Sequence, residues 1–130
     1  MAMAWTNYLL VAAGGAAGAV ARMAVGNLVR GTVAASAFPW HTFVINVSGS
    51  FALGMVASVV AGRATGSAAS VNHFAAIGFL GAYTTFSTFE LETWNLVSQG
   101  RWPAALLYVM VSVMAGFAGL GLGIWAGRLI

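Results

Sequence analysis

The sequence predicts an all-α membrane protein: a single domain over residues 1–130 with four transmembrane helices, the third of them broken. Three observations point there. Hydrophobic residues are 61% of the chain and charged residues only 5%, against about 25% charged in soluble domains. Four apolar segments are each long enough to cross a hydrocarbon core, which needs about 20 helical residues. One of the four carries a polar run, Gly78 to Glu92, where lipid-compatible side chains would otherwise stand.

The first segment runs from Tyr8 to Leu28. No basic n-region precedes it and it is too long for a signal-peptide h-region, so it reads as a retained helix. The second runs from Thr42 to Ala61, the third from near Asn72 to about Ser98, and the fourth from Pro103 to Leu129. Their connections are short: Gly31 to Pro39, Gly62 to Val71, and Gln99 to Trp102. Trp5, Trp40, Trp94, Trp102 and Trp125 fall near helix ends, as in the aromatic belts of membrane proteins.

Small residues recur every fourth position. The first segment has Gly14, Gly18, Arg22 and Gly26; the second has Asn46, Ser50, Gly54, Ser58 and Gly62; the fourth has Gly119, Gly123 and Gly127. That spacing places them on one helix face, where backbones can approach closely. Several such faces on so thin a bundle favour a homo-oligomer.

All five basic residues are arginines. Arg30 and Arg101 flank connections on one side of the membrane, Arg63 and Arg128 lie on the other, and Arg22 sits inside the first helix. The positive-inside rule therefore gives almost no instruction about orientation. Either a partner sets the topology, or the chain inserts both ways and dimerises antiparallel.

The composition also removes chemistries. There is no cysteine, so disulfides and thiolate sites are excluded. His41 and His73 lie too far apart in sequence to suggest paired metal ligation, and both read as interfacial side chains. The arginines form no basic run, which argues against nucleic acid. No nucleophile–base arrangement or phosphate loop is present, so the chain is not expected to be an enzyme.

The third segment is where function is expected, because polar groups in a bilayer are costly unless satisfied. Gly81 and the adjacent threonines weaken a helix, and a break is expected near Gly81 to Tyr83. It would free carbonyls, hard oxygen ligands suited to a cation such as Na⁺; a kink bonded by threonine hydroxyls is the simpler alternative. Beyond the break, Thr85, Thr88 and Glu92 share one face and Phe86, Phe89 and Thr93 an adjacent one. A phenylalanine pair is ordinarily core, but its ring edges are electropositive and can face a small anion without a fixed charge. Asn46 offers an amide donor or an interhelical hydrogen bond. Tyr108 and Ser112 offer hydroxyls one turn apart. Arg22 reads as a snorkelling side chain, an anion-attracting vestibule residue or a partner for Glu92. Glu90 and Glu92 point to different sides of their helix.

At these residues the chain resembles the Fluc family, the small dual-topology fluoride channels of microbial membranes. The resemblance lies in Gly14 to Arg22, in Thr42 to Phe51 with Asn46, and above all in the run Thr84-Thr85-Phe86-Ser87-Thr88-Phe89 followed by Glu92. It implies an antiparallel homodimer in the cell (inner) membrane that exports cytoplasmic fluoride passively through two pores, with a structural Na⁺ at its centre. It further implies that Asn46, Phe86, Ser87, Thr88, Phe89, Tyr108 and Ser112 are pore residues. Glu92 and Arg22 would stand at pore ends or vestibules, and the carbonyls of Gly81 and Thr84 would hold Na⁺. His41, Glu90 and Gly116 depart from the family pattern.

Two other classes compete. A small multidrug transporter-like antiporter shares the size and helix count, but it needs a carboxylate in the first helix, and no acidic residue precedes Glu90. A passive membrane scaffold would not need the polar run.

Overall fold

The computed structural model describes residues 2–33, 36, 38–61 and 66–130. Among these, all regular structure is helical. The order is α1 (Ala2–Thr32), α2 (Trp40–Ala61), α3 (Gly66–Val71), a π-helical segment (Asn72–Leu80), α4 (Gly81–Tyr83), α5 (Phe86–Ser98) and α6 (Trp102–Gly127). The helices α1, α2 and α6 are long and apolar enough to cross a membrane. Gly62 and Arg63 lie outside the described residues.

Local chemistry explains the ends. The Thr32 hydroxyl donates to the carbonyls of Leu28 and Val29 as α1 closes. The helix α6 carries proline in its first turn, where the missing N–H has no helical partner to lose. Between α5 and α6, Gly100 takes the left-handed conformation at φ 73°. Its N–H reaches Val97 O at 2.9 Å and that of Arg101 reaches Leu96 O at 2.9 Å, the double bond of a Schellman cap.

The small-residue ladders are packing seams. A Cβ on Gly123 would strike the Phe51 carbonyl of α2, one on Gly127 would meet Met55 O at 2.8 Å, and one on Gly119 would meet Val47 O at 3.1 Å. Gly54 answers from α2 against Leu120 O. The two ladders let α2 and α6 touch backbone to backbone. On the other flank, a Cβ on Gly14 or Gly18 of α1 would strike the backbone of Phe74 or Phe79 in the π-helical segment, and one on Gly78 would lie 2.7 Å from Val11 O. Gly121, off the seam, has open space.

The third apolar segment differs most from its sequence reading. Helix begins at Gly66, inside the expected connection. The stretch before the break is π-helical, with the Gly81 N–H reaching Ala76 O five residues back. Gly81 to Tyr83 stay helical, and the backbone breaks just after them: Thr84 has ψ 160° and Thr85 has φ −149° and ψ 112°, both extended. The break falls where a side chain from another helix holds it open, which glycine propensity alone does not locate.

Two small buried clusters flank the break. Ile45, Leu80 and Tyr83 pack before it; Leu96, Ala105 and Tyr108 pack beyond it. The other large apolar side chains are mostly exposed, including four of the five tryptophans at more than 60%, as lipid-facing and interfacial residues should be.

A cleft at the helix break

The break is made by three side chains. Asn46 of α2 presents its amide edge-on to the Thr85 backbone: Thr85 N–H donates to Asn46 Oδ1 at 2.8 Å, and Asn46 Nδ2 donates to Thr85 O at 3.1 Å. The Thr85 hydroxyl caps α5, accepting from Thr88 N–H at 3.3 Å while donating to Thr88 Oγ1 at 2.9 Å. Thr84 Oγ1 donates back to Leu80 O at 2.9 Å. The threonine-bonded kink and the interhelical hydrogen bonding of Asn46, each one of two readings the sequence left open for its residues, are both present.

These bonds divert two helical donors. The Thr85 N–H, which would close a turn on the Gly81 carbonyl, goes to Asn46. The Thr88 N–H, which would close one on Thr84, goes to the Thr85 hydroxyl. The carbonyls of Gly81 and Thr84 therefore lack their ordinary helical donors.

Beside the break lies a cleft of about 340 Å³, lined by Asn46, Gly81, Thr84, Phe86, Phe89 and Ser112 among others, with no charged side chain in its wall. The Phe86 and Phe89 rings lie 5.9 Å apart between centroids, and Phe89 is 5.1 Å from Tyr108. Phe86 is 71% exposed. The Ser112 hydroxyl is buried with no protein partner, and Ser112 is part of the wall of this largely apolar cleft. The asparagine amide has a second N–H beyond the one given to Thr85.

Beyond Phe89 a polar cluster closes around Glu92. Its Oε2 accepts from the Tyr108 hydroxyl at 2.8 Å; its Oε1 accepts from Thr42 Oγ1 at 2.9 Å and lies 3.0 Å from His41 Nε2. Tyr108 and Thr42 are the most deeply buried side chains among the described residues.

The structure thus brings Asn46, Phe86, Phe89, Ser112, Gly81 and Thr84 to one cleft, and Tyr108 and Glu92 to the cluster beyond. Thr88 stands between, tied to Thr85. Ser87 is exposed and outside the cleft wall, and Arg22 is half-buried on α1 apart from both groups. The basic side chain against Glu92 is His41 rather than Arg22. Sequence reasoning missed Thr42 and His41. Thr42 could have been found, since it lies four residues before Asn46 and so on the same face. His41 meets its partner only through the tertiary fold.

The family profile described as CrcB-like protein, Camphor Resistance (CrcB), matches residues 9–124. The chain belongs to the CrcB family. Similar relatives include a fluoride-specific ion channel FluC of Rhodopseudomonas palustris, 45% identical over 95% of this chain and 98% of its own length. Another, from Magnetococcus marinus, is 42% identical over the full length of both. A third, fluoride-specific ion channel FluC 2 of Clostridium acetobutylicum, is 37% identical over 95% of this chain and 99% of its own. As a member of this family the chain is a multi-pass membrane protein and not an enzyme. Among the described residues no group of three or more histidines or carboxylates could hold a metal.

Proposed function

We propose that this protein is a passive, fluoride-selective channel. The observation that carries the reading is the cleft wall: an asparagine amide, an unpartnered buried hydroxyl and two phenylalanine rings, with no cationic side chain among them. Fluoride is small and strongly hydrated, so a path must replace its water with donors and still let it leave. Amide and hydroxyl protons and ring edges do that; a buried arginine would trap the ion. The names of the relatives point the same way. The antiporter alternative has nothing to stand on, since α1 carries no carboxylate. Purified protein in liposomes should release fluoride rapidly and chloride barely. Release of neither, or of both alike, would refute the proposal.

We further propose that the working unit is an antiparallel homodimer in the inner membrane, with two pores and a central Na⁺. The support is physical. The carbonyls of Gly81 and Thr84 lack their ordinary helical donors, and such groups at membrane depth must be covered by protein or an ion. A second copy around a two-fold axis would cover both pairs, and neutral carbonyl oxygens suit Na⁺. Replacing Na⁺ by N-methylglucamine should lower the thermal stability of the dimer; equal stability in both would refute the ion.

A further inference from the structure

We propose that Ser50 is a further residue of the anion path, a hydroxyl on α2 that receives the ion one helical turn beyond Asn46 and Ser112. The inference rests on the channel function proposed above. The cleft at the break has few protons to give an anion. Five side chains of its wall carry a hydroxyl or an amide: Asn46, Ser50, Thr84, Thr85 and Ser112. A hydroxyl has a single proton, and both threonines have spent theirs: Thr84 donates to Leu80 O and Thr85 to Thr88 Oγ1, each at 2.9 Å. Asn46 gives one N–H to Thr85 O and keeps the other. Ser112 has no protein partner, and no hydrogen bond joins the Ser50 hydroxyl to another described residue. The donors left for an ion are therefore Asn46, Ser112 and Ser50.

Their placement gives them an order. The helices α2 and α6 run the same way past the cleft, since Gly119, Gly123 and Gly127 face Val47, Phe51 and Met55 in turn. Asn46 and Ser50 are four residues apart on α2, as Ser112 and Gly116 are on α6, so each pair shares a face and spans about 6 Å of helix. A Cβ on Gly116 would lie 3.7 Å from Ser50 Oγ, which sets these two at one level and Asn46 with Ser112 at the level before. Gly116 brings no side chain, so at its level Ser50 is the donor that the two helices offer. The next wall residue along α2 is Leu53, which offers none. A strongly hydrated anion gives up water only where protein donors follow one another closely. Ser50 extends the row of donors by one turn along an otherwise apolar wall.

The test is fluoride efflux from liposomes holding the full chain, with the leak of protein-free vesicles subtracted. S50A deletes a hydroxyl that bonds no described residue, so it should purify as the parent does. Its flux should fall by about tenfold or more, the loss of one hydrogen bond to a charged group. Adding G116S to S50A returns a hydroxyl to the same level from the opposite helix, where the nearest atom to the new Cβ was the deleted Ser50 Oγ. The S50A/G116S protein should regain most of the lost flux, a rescue that a packing role for Ser50 would not give. S50A conducting at the parent rate, S50A/G116S conducting no faster than S50A, or S50A failing to purify would each overturn the role of Ser50 while leaving the channel intact. No fluoride flux from the parent would instead overturn the channel function, and this inference with it.

Discussion

Asn46→Leu tests whether the break is built by side-chain chemistry. The substitution keeps similar bulk but deletes both hydrogen bonds to Thr85, at 2.8 and 3.1 Å. Thr85 is only 8% exposed, so little solvent can replace them. Interhelical hydrogen bonds in membranes contribute about 0.6 kcal/mol on average and about 1.7 at most. Loss of the pair should therefore destabilise the fold by about 1–3 kcal/mol, read as a lower unfolding midpoint in detergent by tryptophan fluorescence. Fluoride flux should fall more steeply, by about tenfold or more, since the cleft loses an amide donor worth about 1.4 kcal/mol or more to the permeating anion. Asn46→Asp separates the two effects. It keeps an acceptor for the Thr85 N–H, sets a carboxylate against the Thr85 carbonyl, and puts negative charge in the cleft; flux should vanish while part of the stability remains. An Asn46→Leu protein with the parent's midpoint and the parent's flux would refute the reasoning.

Other expectations follow from single contacts. Ser112→Ala removes a buried hydroxyl that has no protein partner, so stability should hold or rise, by up to about 1–3 kcal/mol, while fluoride flux falls; a loss of stability with flux intact would contradict it. Gly123→Leu drives a side chain into the Phe51 carbonyl and should prevent α2 and α6 from packing, whereas an added Cβ at Gly121 meets nothing within 4 Å, so Gly121→Leu should fold and conduct normally. Expression and size-exclusion profiles of the pair decide that. Single cysteines at Ser36→Cys and Thr65→Cys should each be labelled from both sides of the membrane if insertion is dual; labelling of each from one side only would exclude antiparallel assembly.

The long helices were legible because their signals are local. An apolar run of membrane length, a proline in the first turn of α6 and a ladder of glycines each act within one element, and the structure turns the ladders into backbone contacts at Gly119, Gly123 and Gly127. The third segment was legible only in outline. Glycine and β-branched propensities marked a weak helix near Gly81, but the break sits at Thr84 and Thr85 because Asn46, 39 residues earlier, takes the Thr85 backbone. The π-helical turn pattern over Asn72–Leu80 leaves no periodic mark in so uniformly apolar a stretch. The partners of Glu92 were hidden for the same reason: His41 and Thr42 reach it across 51 and 50 residues of chain, and a reading along the sequence offered Arg22 instead.

The claim at the centre of this account is that the cleft beside the break carries the anion along phenylalanine ring edges. Fluoride efflux from liposomes bearing Phe86→Ile or Phe89→Ile measures it most directly. Isoleucine keeps much of the apolar bulk but has no electropositive edge, so each variant should purify as the parent does and lose most of its fluoride flux. If both fold normally and conduct fluoride at the parent rate, the phenylalanines are packing residues, and the anion must travel along Thr85, Thr88 and Glu92 instead.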